Sequence, residues 1–454
     1  MSRSFDAVVI GGGQAGPFLA ARLAGAGQRV ALIERRHMGG TCVNDGCQPT
    51  KTLVASARVA WLARRAGDFG VTTGPVSVDM AAVKARKEKV VLASRQGLDD
   101  WMEATEGLAV FRGSAAFVSP NAVEVNGEQL EGRQFFLNTG ARPVVPDWAE
   151  DVPYLTNTSI LELDTLPKHL LIVGGSYIGL EFAQMYRRFG AEVTVLARSG
   201  RLAAKEDEDV STKIREILEG EGIRVITNAG CMAAVRHGDG VAVRYAWGSE
   251  AVEGSHLLLA VGRVPNVEDL ALEKAGVALD EEGYIAVDDK LRTNQPHIYA
   301  LGDVNGRGAF THTSYNDFEI VSQNLLDGAD RRVSERVPAY GLYIDPPLGR
   351  AGMSEAEVRA SGRPALVAIR PMTRVSRANE RAENLGFMKV FADAETRQIL
   401  GVALLGIEGD EVMQSLLEAM AAGVDVDTII RTMHVHPTVS ELVPTLLADL
   451  KPLV

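Results

Sequence analysis

Two stretches of this chain carry the same local pattern. Ala7-Val8-Val9-Ile10 is an apolar β-type run that stops at Gly11-Gly12-Gly13-Gln14-Ala15-Gly16; Phe18–Leu23 then has helical composition, and Arg29–Ile33 reads as a second strand. The layout returns with Leu170–Val173 as strand, Gly174–Gly179 as turn, Leu180–Phe189 as helix and Glu192–Leu196 as second strand. A strand that runs straight into a glycine turn and a helix belongs to a doubly wound parallel sheet, and its recurrence predicts two such units in an α/β chain. Gly11, Gly13 and Gly16 let the backbone approach a pyrophosphate while the helix N-terminus stabilises its charge. Glu34, at the end of the second strand, is the carboxylate expected to accept hydrogen bonds from a ribose diol.

The second unit departs from the first at two positions. Its middle glycine is Ser176, giving Gly174-x-Ser176-x-x-Gly179, which keeps a small residue at the turn. Where the first unit has Glu34, the second has Ala197, followed by Arg198, Arg201 and Lys205. A carboxylate there would repel a 2′-phosphate, whereas an adjacent arginine accommodates one. The expectation is therefore NADPH rather than NADH, against the alternative of a merely solvated basic loop.

With 454 residues the chain is too long for one ordinary core. Its net charge of -12 argues against nucleic acid or an anionic membrane as a main partner. The start, Met1–Gly13, reads as a first strand rather than a signal peptide, and no apolar run reaches the roughly 18 residues of a membrane helix. Three cysteines do not make a disulfide scaffold, so a cytoplasmic setting is the default. Between the two units the pattern predicts helices over about 50–65 and 79–102 and a hairpin of Ala122–Val125 with Gln134–Leu137 around Asn126-Gly127. Leu257–Ala260 and Ile298–Leu301 read as short buried strands. From about Pro338 strands at Ala365–Ile369, Gly386–Phe391 and Ile399–Leu405, then helices near Glu411–Ala422 and Val426–Thr432, indicate a separate α+β domain. No linker is evident, which predicts tight packing between domains.

The most specific segment is Gly39-Gly40-Thr41-Cys42-Val43-Asn44-Asp45-Gly46-Cys47-Gln48-Pro49-Thr50-Lys51. Cys47 stands just before Pro49, a favourable first-turn residue, and a cysteine at a helix N-terminus has its thiolate stabilised. A zinc site would need two further Cys or His ligands, and none is near in sequence. Cys231 has no sequence partner and reads as an inert core residue. The segment resembles the redox-disulfide motif of the class I pyridine nucleotide–disulfide oxidoreductases, which include dihydrolipoamide dehydrogenase, glutathione reductase and mercuric reductase. The resemblance extends over Asn138-Thr139-Gly140, Val261-Gly262-Arg263-Val264-Pro265-Asn266, Ala300-Leu301-Gly302-Asp303 and His434-Val435-His436-Pro437-Thr438-Val439-Ser440-Glu441.

The resemblance implies two Rossmann-like dinucleotide-binding domains and a C-terminal α+β dimerisation domain. FAD would be held by residues 1–145 and 263–335, NAD(P)H by 146–262, and the subunit interface formed by 336–454. It implies that Cys47 is the flavin-facing thiol and Cys42 the interchange thiol, that Lys51 lies near flavin N5 with Glu181 as its partner, and that Tyr177 covers the flavin until a nicotinamide displaces it. Asp303 would hold the ribityl chain; Gly40, Thr41, Thr139 and Gly140 complete the FAD set, and Gly262 joins Gly174, Ser176, Tyr177, Gly179, Arg198 and Arg201 for NADPH. His436, oriented by Glu441, would be the catalytic base, with His434 the poorer candidate, and would reach the cysteines of the other subunit of a homodimer.

The chain ends Leu450-Lys451-Pro452-Leu453-Val454 without the cysteine pair that hands over a mercuric ion, and Ala197 does not suit dihydrolipoamide dehydrogenase. The stretches Phe310–Asp317 and Asp345–Met353 look more like bacterial mercuric-reductase-like flavoproteins linked to reactive-chlorine and hypothiocyanous acid resistance. The reading is an FAD-dependent NADPH oxidoreductase that passes electrons through Cys42 and Cys47 to a thiol-reactive oxidant, a disulfide or a soft metal ion. A flavoprotein redox sensor or metal-binding protein with little turnover is the reading from another class.

Overall fold

Each glycine turn sits where a parallel sheet hands the chain over to a helix. The computed structural model describes residues 3–230 and 232–454; Cys231, read above as a core residue, lies outside them. In the first sheet the strands run in the order Leu108–Arg112, Val30–Glu34, Arg3–Ile10, Glu128–Leu137, Ala122–Val125 and Ala115–Ser119. The first four are mutually parallel, and Ile298–Ala300 pairs in parallel with the end of Glu128–Leu137. The second sheet is fully parallel, ordered Arg224–Ile226, Glu192–Leu196, His169–Val173 and His256–Leu259. Its apolar side chains are buried on both faces, Ile172 and Val195 against helices and Leu171 and Leu257 against residues of Gly240–Tyr245 and Glu250–Gly254.

The two turns agree down to single contacts. Gly11 has φ +108°, and a Cβ there would lie 2.2 Å from the carbonyl oxygen of Asn138; one on Gly16 would lie 2.0 Å from the oxygen of Gly11. In the second unit Gly174 has φ +125° with Ala260 O at 2.1 Å, and Gly179 meets Gly174 O at 2.2 Å. In both cases the blocking carbonyl follows directly on the neighbouring parallel strand. The glycines are thus demanded by backbone-to-backbone contact as well as by any ligand.

An antiparallel sheet forms the C-terminal part, in the order Ala339–Leu342, Leu348–Gly352, Ile399–Leu405, Phe387–Asp393, Ala365–Pro371 and Lys451–Pro452. Helix Gly409–Ala421 packs across it. The helices expected over 50–65 and 79–102 are Cys47–Arg64 and Met80–Ala104, the latter capped by Asp79 accepting from the Ala82 N–H. A three-stranded antiparallel sheet, Ala233–His237, Gly240–Tyr245 and Glu250–Gly254, was not expected. Its first strand is mostly exposed and carries little apolar alternation.

The parts share a core. Leu53 and Ala57 of the Cys47–Arg64 helix, Leu180 and Phe182 of Tyr177–Phe189, and Leu348 and Leu405 of the C-terminal sheet belong to one buried cluster. A buried ionic seam runs beside it. Arg188 Nη1 lies 2.5 Å from Asp345 Oδ2 and its Nη2 lies 2.6 Å from Glu221 Oε1, while Arg58 reaches Asp345 at 2.6 Å and Glu383 at 2.7 Å. Asp345 therefore bridges a guanidinium from each of the two helices to the C-terminal part. Removing it leaves Arg58 and Arg188 short of a counter-charge in a poorly solvated place. Asp345→Ala is expected to cost about 3 kcal/mol, read as a lower urea midpoint for unfolding.

Candidate active site

Cys47 is the first residue of the Cys47–Arg64 helix, and Cys42 lies within the short helix Gly40–Asn44. Both thiols are free. The neighbouring Cys42 thiol, aided by the Thr311 hydroxyl and the Lys51 charge and opposed by burial, brings Cys47 down to about 6. Cys42 moves the other way, far above an ordinary thiol, because it holds the shared proton and is desolvated. Thr311 Oγ1 lies 3.2 Å from Cys47 Sγ. The first thiolate of the pair belongs on Cys47, beside its hydroxyl donor and the lysine.

The residues between the cysteines are pinned. Asn44 Nδ2 donates to the carbonyls of Met38 and Gly40 at 3.0 and 2.9 Å, and its Oδ1 accepts from Arg95 Nε at 2.9 Å. Asn157 Nδ2 donates to the Asp45 carbonyl at 2.8 Å. Behind the pair, Lys51 Nζ lies 2.7 Å from Glu181 Oε2. The other Glu181 oxygen accepts the Tyr343 N–H at 3.0 Å, and the ammonium stands 4.5 Å from the centroid of the Tyr343 ring. Lys51 and Glu181, far apart in sequence, are thus brought together as the resemblance implied.

The first nucleotide turn abuts this loop. A Cβ on Gly40, which has φ +56°, would lie 2.8 Å from Gly13 Cα, and the Gly39 N–H donates to Gly12 O at 2.7 Å. Glu34 is buried and accepts the Gly12 N–H at 2.7 Å and the Arg36 N–H at 2.6 Å. Asn138 Oδ1 accepts the Gly16 N–H at 3.0 Å, and its Nδ2 donates to Leu301 O at 2.8 Å, tying the turn to the Ile298–Ala300 strand. Thr139 Oγ1 donates to Asn266 O at 2.8 Å, and Gly140 O accepts the Asn266 N–H at 3.0 Å. Thr41 is exposed beside Cys42. Asp303 lies 3.9 Å from Arg263 Nε, and burial raises its carboxyl above the usual range. A turn with no room for side chains, a buried acid at its rim and Asp303 just beyond the Ile298–Ala300 strand fit the demands of a flavin dinucleotide.

In the second unit Ser176 precedes the first helical residue, Tyr177. A Cβ on Gly175 would lie 2.8 Å from the Ala197 Cβ, so Ala197 occupies the place that Glu34 takes beside Gly12. Arg198 and Lys205 are exposed, and Arg201 Nη2 donates to Ala204 O at 3.0 Å. None of the three has an acidic partner within 4.0 Å among the described residues. Gly262 closes the unit with φ +138°.

His436 Nδ1 lies 2.7 Å from Glu441 Oε2, leaving Nε2 free, whereas His434 Nδ1 faces the Thr432 carbonyl at 2.9 Å. The His436 side chain is 74% exposed, next to Val435 at 74% and three residues after Met433 at 93%. Apolar residues this bare beside an oriented imidazole suit a surface that another subunit covers. Thr311, Tyr343 and Glu206, described below, were not singled out from sequence. Each acts through a fold contact, and only Phe310–Asp317 gave a hint, as a matching stretch without a role.

The pyridine nucleotide-disulphide oxidoreductase family matches residues 5–317, and that family's dimerisation domain matches residues 338–447. The probable pyridine nucleotide-disulfide oxidoreductase RclA of Escherichia coli is 35% identical over 452 residues, 96% of this chain and 97% of that one. Its structure, described as an HOCl-induced flavoprotein disulfide reductase, superposes with a TM-score of 0.89 over 98% of this chain and 99% of that chain, at 34% identity. A mercuric reductase of Streptomyces lividans is 34% identical over 96% of this chain and 94% of its own length. A dihydrolipoyl dehydrogenase of Chlamydia muridarum is 32% identical over 97% and 96%. The fold, the paired cysteines and these relatives agree: the chain belongs to the pyridine nucleotide-disulphide oxidoreductases, FAD-dependent enzymes that work with a pyridine nucleotide, and it carries their dimerisation domain.

Proposed function

We propose that this chain is an NADPH-dependent reductase whose Cys42–Cys47 pair reduces a thiol-reactive oxidant such as a hypohalous acid. The observation that carries the reading is the placement of the pair: Cys47 opens the Cys47–Arg64 helix 3.2 Å from the Thr311 hydroxyl and one turn before Lys51, with Cys42 on the adjoining Gly40–Asn44 helix. The similarity to an HOCl-induced reductase supports the acceptor class. Bound FAD, reduced by the pyridine nucleotide, supplies the two electrons that reopen the disulfide.

The geometry at the cysteines supports the following chemistry. Cys42 sulfur attacks the electrophilic atom of the oxidant, and its proton passes to the partner subunit's His436, whose Nδ1 edge is fixed by Glu441. With hypochlorous acid this forms a sulfenyl chloride at Cys42 and expels hydroxide, which takes the proton back from the partner subunit's His436 and leaves as water. Cys47 thiolate then attacks the Cys42 sulfur, chloride leaves, and the disulfide closes with two electrons transferred. Lys51 beside Cys47 offsets the negative charge held there, and Glu181 prevents the ammonium from being buried alone. A soft metal ion is a second acceptor, favoured by the thiolate and by the Cu(II) complex described for RclA.

The nucleotide preference rests on Ala197 and the unpaired basic loop. An exposed arginine next to a missing acid can meet a 2′-phosphate without giving up an existing ion pair.

Cys42→Ser should retain a yellow flavin and abolish NADPH consumption with hypochlorous acid, a disulfide or Cu(II); full turnover would refute the thiol relay. kcat/KM should favour NADPH over NADH, and Arg198→Glu should cut that ratio at least about tenfold, roughly 1.4 kcal/mol. Because the Cys47 value is lowered, its thiolate should persist down to pH about 6 and vanish below it. The long-wavelength absorbance of thiolate against flavin reports this, and Thr311→Val should shift the midpoint upward.

A further inference from the structure

Tyr177 does more than follow the second glycine turn. Its hydroxyl donates to Glu206 Oε1 at 2.8 Å, and the Tyr340 hydroxyl donates to that same oxygen, also at 2.8 Å. Glu206 is 2% exposed. Among the described residues its other oxygen has no hydrogen-bond donor, and it faces Arg350 Nε at 3.5 Å. Arg350 is itself 2% exposed, in the Leu348–Gly352 strand. One carboxylate therefore ties together the helix that starts at the nucleotide turn and two strands of the C-terminal sheet.

Glu206 also ends the basic loop. The segment from Arg198 to Lys205 leads directly into it, the Ala203 N–H donates to Gly175 O at 2.7 Å, and the Glu206 N–H donates to Ala203 O at 2.8 Å. The loop that carries Arg198, the nucleotide turn and the Tyr177 hydroxyl are thus linked through one series of hydrogen bonds. The Tyr177 ring is half-buried, 5.6 Å from the Tyr340 ring and 6.2 Å from that of Phe310, centroid to centroid. Phe310 is followed by Thr311, the neighbour of Cys47.

We infer that Glu206 is a positioning residue that latches Tyr177 closed over the nicotinamide entrance, and that a pyridine nucleotide must break the Tyr177–Glu206 bond to reach the flavin. The inference rests on the proposed reading of Tyr177 as the residue a nicotinamide displaces. A hydrogen bond to a charged acceptor in a desolvated place is among the stronger ones. Burial beside the carboxylate raises the Tyr177 hydroxyl far above an ordinary phenol and pushes Tyr340 up to about 12, so both remain donors across the working range. Two donors on one oxygen weaken each other, which makes Tyr340 a modulator: without it, Glu206 holds Tyr177 more tightly.

The test is anaerobic stopped-flow reduction of the FAD holoenzyme across a range of NADPH concentrations. Tyr177→Phe keeps the ring and deletes the bond, and should lower the apparent NADPH dissociation constant about tenfold. Tyr340→Phe should raise that constant about threefold. Opposite signs from two Tyr→Phe changes on one carboxylate are not what a merely structural loss gives. An unchanged or higher constant in Tyr177→Phe, or a lower one in Tyr340→Phe, overturns the latch while normal NADPH reduction of the wild type leaves the proposed function standing. Failure of NADPH to reduce wild-type flavin overturns both.

Discussion

Lys51 and Glu181 form the contact on which the site depends. Lys51 comes one turn after Cys47 on the helix that the redox loop feeds, Glu181 from the helix that follows the second nucleotide turn, and the Tyr343 N–H from the C-terminal part closes the other carboxylate oxygen. The Glu181 side chain is only 7% exposed. An unpaired charge in such a place would cost several kcal/mol, so the pair can exist only when all three parts are docked. Docking in turn draws the Cys47 helix and the helix after the second glycine turn together against the C-terminal part.

The same logic explains why polar groups are concentrated at the seams. Arg58 and Arg188 converge on Asp345, and Arg350 converges on Glu206 and Asp207. Apolar packing would hold the parts together equally well, but it would accept many angles between them. Buried charges require particular partners, and they set one arrangement against its slipped alternatives. The cysteine pair benefits directly, because its proton is divided by neighbours drawn from different parts: Thr311 from one helix and Lys51 from another.

Much of the fold could be read from residues close in sequence. Strand Glu192–Leu196 has the bounds its apolar run predicted, and the helices at Cys47–Arg64 and Met80–Ala104 fall within a few residues of their expected spans. Leu257–Ala260 and Ile298–Leu301 were both recognisable as short buried strands, yet nothing local told them apart. The former, as His256–Leu259, joins the second sheet beside His169–Val173, and the latter, as Ile298–Ala300, joins the first beside Glu128–Leu137. The three-stranded sheet from Ala233 to Gly254 escaped notice because its exposed first strand gives no burial pattern to find.

The sequence by itself determined the repeated nucleotide turns, the cysteine pair and the His436–Glu441 couple, because each is a short motif whose chemistry depends on neighbours a few residues away or on one steric demand. At Gly11 and Gly174 that demand is visible in the backbone oxygens of Asn138 and Ala260. Only the tertiary structure decided that Thr311 would stabilise the Cys47 thiolate, that Tyr343 would close over Lys51, and that Tyr177 and Tyr340 would share one oxygen of Glu206. Those groups come from separate parts of the chain and have no spacing in common. What joins them is desolvation at the seams, where a buried charge must find whichever donor the packing brings within reach.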